Sequence, residues 1–320
     1  MARFKNFVPN GVIPACLLPF REDFSIDEAG FRKHLTDVAA VDGITAVTVN
    51  AHASEVASCS FDEQIRVMEL TGATLGDRLP IVMGVYADGS FEAARLAKMA
   101  DKTGASALLV FPSQTLNMGG ALRPEMALGH FKRIADATDL PIIVFQYPLA
   151  SNVQYPLDTL LALFEQVPTI RAIKDWCNDA MLHERHIQVL QSLPKPVTVL
   201  STHSAWLMSS LVMGCNGLLS GAGSVIADMQ VALFRAVQAN DLKAAKAINA
   251  RMLPMVQAFY APPFLDMHNR MKEALVLLGR QERAVVRPPL MKLGAAEITK
   301  LKAAIKQAGL AREGFANAAE

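Results

Sequence analysis

The chain has few of the features that mark secreted or membrane proteins. It holds only four cysteines in 320 residues. They lie scattered at Cys16, Cys59, Cys177 and Cys215 with no Cys-x-x-Cys pair, which fits a reducing compartment better than a disulfide framework. No stretch reaches the roughly 18 uninterrupted apolar residues of a membrane span, and the amino terminus lacks the apolar run of a signal peptide. We therefore expect a cytoplasmic protein with no membrane partner.

The chain also lacks an excess of either charge. Lysine and arginine together number 31, against 30 aspartate and glutamate residues. This balance creates no long-range field that would attract nucleic acid, so we predict no nucleic-acid partner. What the chain does have is apolar content, since 52% of its residues are hydrophobic and 19% are charged. A chain of this length and composition can bury a large core in one α/β unit.

Short apolar segments alternate with amphipathic helical segments along most of the chain. Eight of these segments are too short for helices and are predicted as strands, at residues 11–17, 44–49, 81–85, 107–111, 142–145, 170–174, 197–201 and 217–220. Capping-box patterns at 25–28 and 60–63 indicate helix starts between them. Eight strand-helix units in under about 250 residues favour a closed parallel barrel. We predict a (β/α)8 TIM barrel over residues 1–240 and a C-terminal helical region over 241–320.

The sixth predicted strand ends on a lysine. With a period of two, Ile170, Ala172 and Lys174 share one face of this strand, so the amine would stand among apolar residues. Loss of solvation lowers the pKa of a lysine and makes it a nucleophile toward carbonyl carbon near neutral pH. The alternative is an ordinary strand-end lysine whose ammonium group reaches water.

Polar segments follow other predicted strands at the end where barrel enzymes hold their active sites. They lie at residues 50–55, 111–114, 145–148 and 201–204, after strands two, four, five and seven. If the barrel forms, these segments surround the amine of Lys174. None of the His, Asp and Glu residues has a metal-ligand spacing along the chain, so we predict no metal and no cofactor.

The order and content of these segments resemble the dihydrodipicolinate synthase and N-acetylneuraminate lyase family of class I, Schiff-base-forming enzymes. The matching pieces are residues 11–15, the glutamate that ends 50–55, Ile173-Lys174-Asp175, and the run from 199 to 220. The resemblance implies that Lys174 forms an imine with the keto carbon of pyruvate or of a larger 2-keto acid. It also implies a homo-oligomer, either a tetramer or a dimer, and the high apolar content agrees with this.

Several positions depart from the family pattern. The family's Gly-Thr-Thr-Gly-Glu is replaced by Ala-His-Ala-Ser-Glu at 51–55, so a substrate carboxylate would have to bind backbone N–H groups near Ala53 and Ser54. The tyrosine that relays protons beside the lysine aligns with Phe145, which has no proton to give. The second relay tyrosine aligns with Gln114, and the arginine that binds the aldehyde's carboxylate aligns with Ala150. These changes make lysine-biosynthetic dihydrodipicolinate synthase activity unlikely for this chain.

Other groups must then carry protons and bind the substrate. His52 is the first candidate for proton transfer, because a histidine titrates near neutrality, and Tyr147 is the second. His203 stands where the family has Gly-Asp-Asp and would bring a second imidazole to the site. The further candidates for substrate binding are Gln114, Phe145, Trp176, Leu219 and Gly221.

These observations predict a Schiff-base-forming lyase. The reaction would be aldol cleavage or addition, hydration with aldol cleavage, or dehydration of a 2-keto acid such as pyruvate or a 2-keto-3-deoxy sugar acid, through Lys174. Two alternatives remain open at this stage. One is a deaminase or dehydratase that acts on a cyclic imine acid on the same barrel. The other is a non-catalytic protein that binds 2-keto acids and retains the lysine.

Overall fold

The computed structural model describes residue 4 and residues 6–311 of the chain. Its eight strands are β1 Gly11–Pro14, β2 Val47–Val49, β3 Ile81–Val85, β4 Ala107–Val110, β5 Ile142–Gln146, β6 Ile170–Asp175, β7 Thr198–Ser201 and β8 Gly217–Ser220. All eight predicted strands are present, and their ends differ from the predicted ends by at most a few residues. Every strand position except Arg171 and the first residue of β7 is buried, which explains their largely apolar sequences.

The strands form one parallel sheet that closes on itself. The order is β1-β8-β7-β6-β5-β4-β3-β2, and β1 pairs with β8 in parallel. Between β1 and β2 the seam is closed by two bridges, Val12 with Ile44 and Ala15 with Thr48. Ile44 therefore joins the barrel through one bridge only, and this is why β2 is shorter than the predicted segment 44–49. The predicted (β/α)8 barrel is confirmed.

Eleven α-helices lie among the described residues, and eight of them alternate with the strands. They are α1 Glu28–Ala39, α2 Phe61–Leu75, α3 Ser90–Lys102, α4 Pro124–Ala135, α5 Leu157–Gln166, α6 Ala180–Gln191, α7 Leu207–Val212, α8 Gly223–Gln238, α9 Leu242–Phe259, α10 Met267–Leu277 and α11 Ala295–Gln307. The capping box at 60–63 is confirmed, with Ser60 and Glu63 satisfying each other's backbone N–H. The one predicted at 25–28 is wrong, because Asp27 caps α1 by accepting from the Gly30 N–H.

Helices α9 to α11 form the C-terminal helical part. Helix α9 packs against α8 and α11, and α10 packs against α11. No strand follows β8 in the described residues. The boundary at residue 240 stays a prediction. None of the helices in the described residues is long and apolar enough to cross a membrane.

A buried ion pair ties α10 to the loop after β2. Lys272 Nζ donates to Glu55 Oε1, and the two side chains are 0% and 4% exposed. The other carboxylate oxygen of Glu55 accepts the backbone N–H of Arg287 at 2.9 Å. Since burial lowers the pKa of Lys272, the ammonium depends on the Glu55 carboxylate for its charge. This pair fixes the C-terminal helices over the C-terminal end of the barrel, where β2 ends.

We predict that Glu55→Gln lowers the free energy of unfolding by about 3 to 5 kcal/mol, because it leaves a buried ammonium without its counter-charge. The double variant Glu55→Gln with Lys272→Met should recover much of this loss. Asp37→Asn is the control, since the Lys33–Asp37 pair is 57% and 42% exposed and such pairs contribute at most about 1 kcal/mol. Denaturant unfolding measures all three. A loss of under about 1 kcal/mol in Glu55→Gln would contradict this account.

Candidate active site

Lys174 lies near the end of β6 and its amine is almost fully buried. The residue is 6% exposed, and Nζ lies 3.9 Å from the centroid of the Phe145 ring. Among the described residues no carboxylate or hydrogen-bond acceptor pairs with this amine. Burial lowers the pKa of Lys174 to about 7, so a large fraction of the amine is neutral near neutral pH. The Lys174 amine therefore has the protonation state that a nucleophile requires.

The next residue in β6 points to the opposite side and holds the strand in place. Asp175 Oδ2 accepts from Nδ1 of His183 and Nδ1 of His186, both at 2.8 Å. The two histidines lie three residues apart on α6, so they share one helix face. Burial would raise the pKa of Asp175, but these hydrogen bonds lower it below its usual range. Asp175 thus anchors β6 to α6 directly behind Lys174.

His52 and Tyr147, the two proposed proton carriers, lie in hydrogen-bond contact. Tyr147 Oη is 2.7 Å from His52 Nε2, although the residues follow different strands. The two rings pack with Phe145, whose centroid is 4.7 Å from that of Tyr147 and 5.8 Å from that of His52. The structure therefore brings together two candidates that are 95 residues apart in sequence.

The protonation states of this pair differ from the sequence-based expectation. Burial, and then the nearby charge of Lys174, lowers the pKa of His52 to about 3, so His52 is a neutral imidazole at neutral pH and does not titrate there. Burial raises the pKa of Tyr147 above its ordinary value, so the hydroxyl keeps its proton. A neutral imidazole bonded to a neutral phenol can still pass protons along the bond that joins them.

The pocket at Lys174 is small, with a volume of about 30 Å³. Besides Lys174, half of the ten predicted site residues line it, namely His52, Ala53, Phe145, Trp176 and Gly221, whereas Tyr147 does not line it and contacts His52 instead. The sequence missed six other lining residues, namely Ala15, Ala51, Thr202, Tyr260, Met267 and His268. The last three come from the C-terminal helical part, which carried no strand-end signal.

Four predicted binding residues do not line this pocket. Ser54 is fully buried, and its hydroxyl donates to the Cys16 carbonyl at 2.9 Å. Gln114 starts a turn after β4, where its N–H donates to Asp88 Oδ1. Leu219 lies inside β8, where it pairs with Ile13. His203 is 2% exposed, and its ring stacks on that of Trp206 with the two centroids 4.1 Å apart. The ring of His203 packs against α6, with its centroid 4.6 Å from that of His183.

His268 is a third imidazole near the amine. It follows the first residue of α10, and its ring centroid lies 6.5 Å from that of His52. Burial, and then His52 and Lys174, lowers its pKa well below the usual value. His268 can lie this close to β8 because residue 221 is a glycine. A Cβ at Gly221 would lie 3.0 Å from His268 Nε2. Both His52 and His268 are therefore neutral groups that can donate or accept hydrogen bonds.

Four residues behind the pocket form a buried group with metal-ligand chemistry. The ligand atoms of Asp175, Cys177, His183 and His203 all lie within 4.8 Å of one another. Sequence spacing did not reveal this group, because its members come from β6, the segment that follows it, α6 and the segment after β7. Asp175 already accepts from two histidines and from the Cys177 N–H at 2.9 Å, and His183 Nε2 bonds Ser210 Oγ at 2.7 Å. Protein hydrogen bonds thus occupy most of these atoms.

A larger apolar cavity adjoins the Lys174 pocket. Its volume is about 410 Å³, and it shares His52, Met267 and His268 with the smaller pocket. Its apolar lining comes from the loop after β2, the start of α10 and the segment before α11, namely Val56, Leu265, Met267, Pro288, Pro289 and Leu290. We call it the apolar cavity. It has the size of an ordinary small-molecule site, roughly 300 to 1,000 Å³.

Comparison with known proteins identifies one family over nearly the whole chain. The family model for the dihydrodipicolinate synthetase family matches residues 8–308. A 4-hydroxy-tetrahydrodipicolinate synthase from Rhodopseudomonas palustris (strain BisA53) is 30% identical over 94% of this chain and 97% of its own length. The protein of the same name from Anaplasma marginale (strain St. Maries) is 28% identical, over 95% of this chain and 96% of its own.

Solved structures share the fold at lower sequence identity. A prophage protein of the dihydrodipicolinic acid synthase family from E. coli K12, in complex with pyruvate, superposes with a TM-score of 0.87 at 21% identity, covering 94% of this chain and 99% of that one. Dihydrodipicolinate synthase from Aquifex aeolicus gives 0.84 at 22% identity, over 95% and 100% of the two chains. At 21% and 22% sequence identity, these two structures show that the chain shares their barrel fold.

Proposed function

The chain belongs to the dihydrodipicolinate synthetase family, and we propose that it is a Schiff-base lyase acting on a 2-keto acid through Lys174. The observation that carries this proposal is the buried amine, which has no counter-charge and a pKa lowered to about 7. Strongly shifted pKa values in a pocket are typical of catalytic groups. The pyruvate complex of the E. coli K12 relative supports a small keto acid as the ligand.

The mechanism begins with the neutral amine of Lys174. It attacks C2 of the keto acid, and the carbinolamine loses water to give an iminium ion. In aldol cleavage, the C3–C4 bond breaks and its electron pair moves toward the iminium, which becomes an enamine, while the C4 hydroxyl loses its proton and the C4 fragment leaves as an aldehyde. Protonation of C3 and hydrolysis of the imine then release the shortened keto acid and restore Lys174.

The hydrogen-bonded pair of His52 and Tyr147 moves the protons in these steps. As Nδ1 of His52 accepts a proton from the substrate, Nε2 donates its proton to the Tyr147 hydroxyl 2.7 Å away, and that hydroxyl releases its own proton to water, so neither ring keeps a charge. This pair replaces the family's strand-five tyrosine, whose position Phe145 occupies. The carboxylate of the substrate binds backbone N–H groups near Ala53, because alanine there offers no hydroxyl.

The substrate we propose is not that of the relatives called 4-hydroxy-tetrahydrodipicolinate synthase. Phe145, Gln114 and Ala150 occupy the positions where the family resemblance expects two tyrosines and an arginine. Gln114 and Ala150 also do not line the Lys174 pocket. The identities of 28% and 30% to those relatives are compatible with a different substrate on the same barrel, since function follows the site rather than the fold.

We propose a homo-oligomer, a tetramer or a dimer, and a cytoplasmic location. Two large apolar side chains after β4 support self-association. Met118 and Leu122 are 94% and 85% exposed, they lie in turns that contact each other, and clustered exposed apolar residues are typical of protein contacts.

Trapping of the imine tests the proposed function. We predict that borohydride with pyruvate, or with another 2-keto acid from a panel, adds the mass of the reduced keto acid to the peptide containing Lys174. The Lys174→Ala variant should not be labelled but should keep its fold, with Lys300→Ala at an exposed helix position as the control. Label on other lysines, or no label with any 2-keto acid, contradicts the mechanism. Turnover with release of ammonia rather than of pyruvate or aldehyde would point to a deaminase instead.

A second experiment tests the proton relay. We expect His52→Ala and Tyr147→Phe each to lower kcat by roughly a hundredfold, the scale of losing a general acid or base, while imine trapping at Lys174 persists more slowly. Tyr155→Phe is the matched control, because Tyr155 is buried and its hydroxyl has no hydrogen-bond partner. If His52→Ala raises KM and leaves kcat unchanged, His52 only binds substrate and the relay assignment is wrong.

A further inference from the structure

The Lys174 pocket has room only for the keto-acid end of a substrate. Its volume is about 30 Å³, and a cavity needs roughly 10 to 15 Å³ to hold one water molecule. Carbon atoms beyond C3 must therefore extend out of this pocket. The apolar cavity lies directly beside it and shares the walls formed by His52, Met267 and His268. We propose that this chain acts on 2-keto acids that carry an aryl or alkyl group on C4, and that the apolar cavity binds this group.

The inference rests on the proposed function and adds a substrate class to it. Its first support is the lining of the apolar cavity, where aliphatic side chains and prolines of three separate segments converge. Val56 is 2% exposed and lies one residue after Glu55, whose buried contacts fix this loop. Leu265 and Leu290 contribute further apolar surface from the C-terminal part. Burial of apolar surface is the main source of affinity that such walls provide.

The second support is that both charged groups in the walls are already paired. The Arg287 guanidinium donates to both carboxylate oxygens of Glu63 and to the carbonyls of Phe24 and Ser58. The Glu55 carboxylate accepts from Lys272 and from the Arg287 N–H. A carboxylate on the distal end of the substrate would enter the cavity without a free cation to pair with. Burying an unpaired carboxylate is strongly unfavourable. Keto acids with a second carboxylate at the distal end therefore fit the apolar cavity poorly.

The third support is the shortage of free hydroxyl partners. Ser58 Oγ donates to the Glu55 carbonyl at 2.8 Å and so is already engaged. A polyhydroxylated chain would lose hydrogen bonds to water and gain few in the cavity, which costs free energy for each unsatisfied hydroxyl. Sugar-acid chains are therefore poor occupants as well.

Polar side chains lie where the Lys174 pocket meets the apolar cavity. The imidazoles of His52 and His268 form part of both walls, and their lowered pKa values keep them neutral. An oxygen on C4 would reach this junction when C2 is bonded to Lys174. The arrangement thus gives polar partners to the reacting oxygen and apolar partners to the substituent beyond it.

The test compares keto acids that differ only in the group on C4. Half-saturating concentrations in the borohydride assay are measured for 4-phenyl-2-oxobutanoate, 2-oxoglutarate and 2-keto-3-deoxygluconate, with pyruvate as the common reference. We expect 4-phenyl-2-oxobutanoate to half-saturate at a concentration at least roughly tenfold lower than the other two, as apolar burial in a pocket predicts. Equal or better trapping of 2-oxoglutarate or of the sugar acid overturns the inference.

Variants of the cavity wall complete the test. The double variant Leu265→Ser with Leu290→Ser should remove the preference for the phenyl substrate and leave trapping of pyruvate unchanged, because both residues line the apolar cavity and not the Lys174 pocket. Leu242→Ser, at a half-exposed position of α9 (50% exposed), is the matched control. Leu290→Arg should shift the preference toward 2-oxoglutarate. A phenyl preference that survives the double variant contradicts the cavity assignment, whereas absence of any pyruvate label contradicts the proposed function itself.

Discussion

The burial of one amine without a counter-charge is the constraint on which the site depends. Three other buried ionic groups in the described part of the chain are compensated: Lys272 by Glu55, Asp175 by two histidines, and Arg270 by Glu297 and carbonyl groups. Lys174 has the ring face of Phe145 instead. A compensated lysine is stable but chemically inert, whereas an uncompensated one is partly neutral near pH 7 and can attack carbonyl carbon.

The surrounding structure keeps that amine buried and in place. Asp175 fastens β6 to α6 on one side of the strand, while Phe145, His52 and Trp176 enclose Lys174 on the other. The Glu55–Lys272 pair holds α10 over the C-terminal end of the barrel, and α10 in turn brings His268 and Met267 to the pocket. The burial of the amine thus depends on contacts between the barrel and the C-terminal helices, so the helical part contributes to the candidate active site.

The sequence predicted the barrel and the burial of Lys174 at the end of β6, whereas it predicted the surrounding side chains less completely. Strands that are buried on both faces read as short apolar runs, and a lysine at the end of such a run is conspicuous. The positions of Ala53, Phe145 and Gly221 followed from their place after particular strands. His203 was misplaced because the direction of a side chain in an irregular segment depends on local backbone angles. His268 was missed because it comes from a helix more than 90 residues beyond β6, and the neutral state of His52 follows from burial that no local pattern reveals.

The pH dependence of imine formation tests the central claim most directly. The rate of pyruvate trapping at Lys174 with cyanoborohydride, located by peptide mass, should rise as pH increases through about 7 and then level off, because only the neutral amine attacks the keto carbon. An ordinary lysine has a pKa of about 10.4. If the rate at Lys174 instead keeps rising toward that value, the amine is solvated in the folded protein, and the account of a buried, uncompensated nucleophile is wrong.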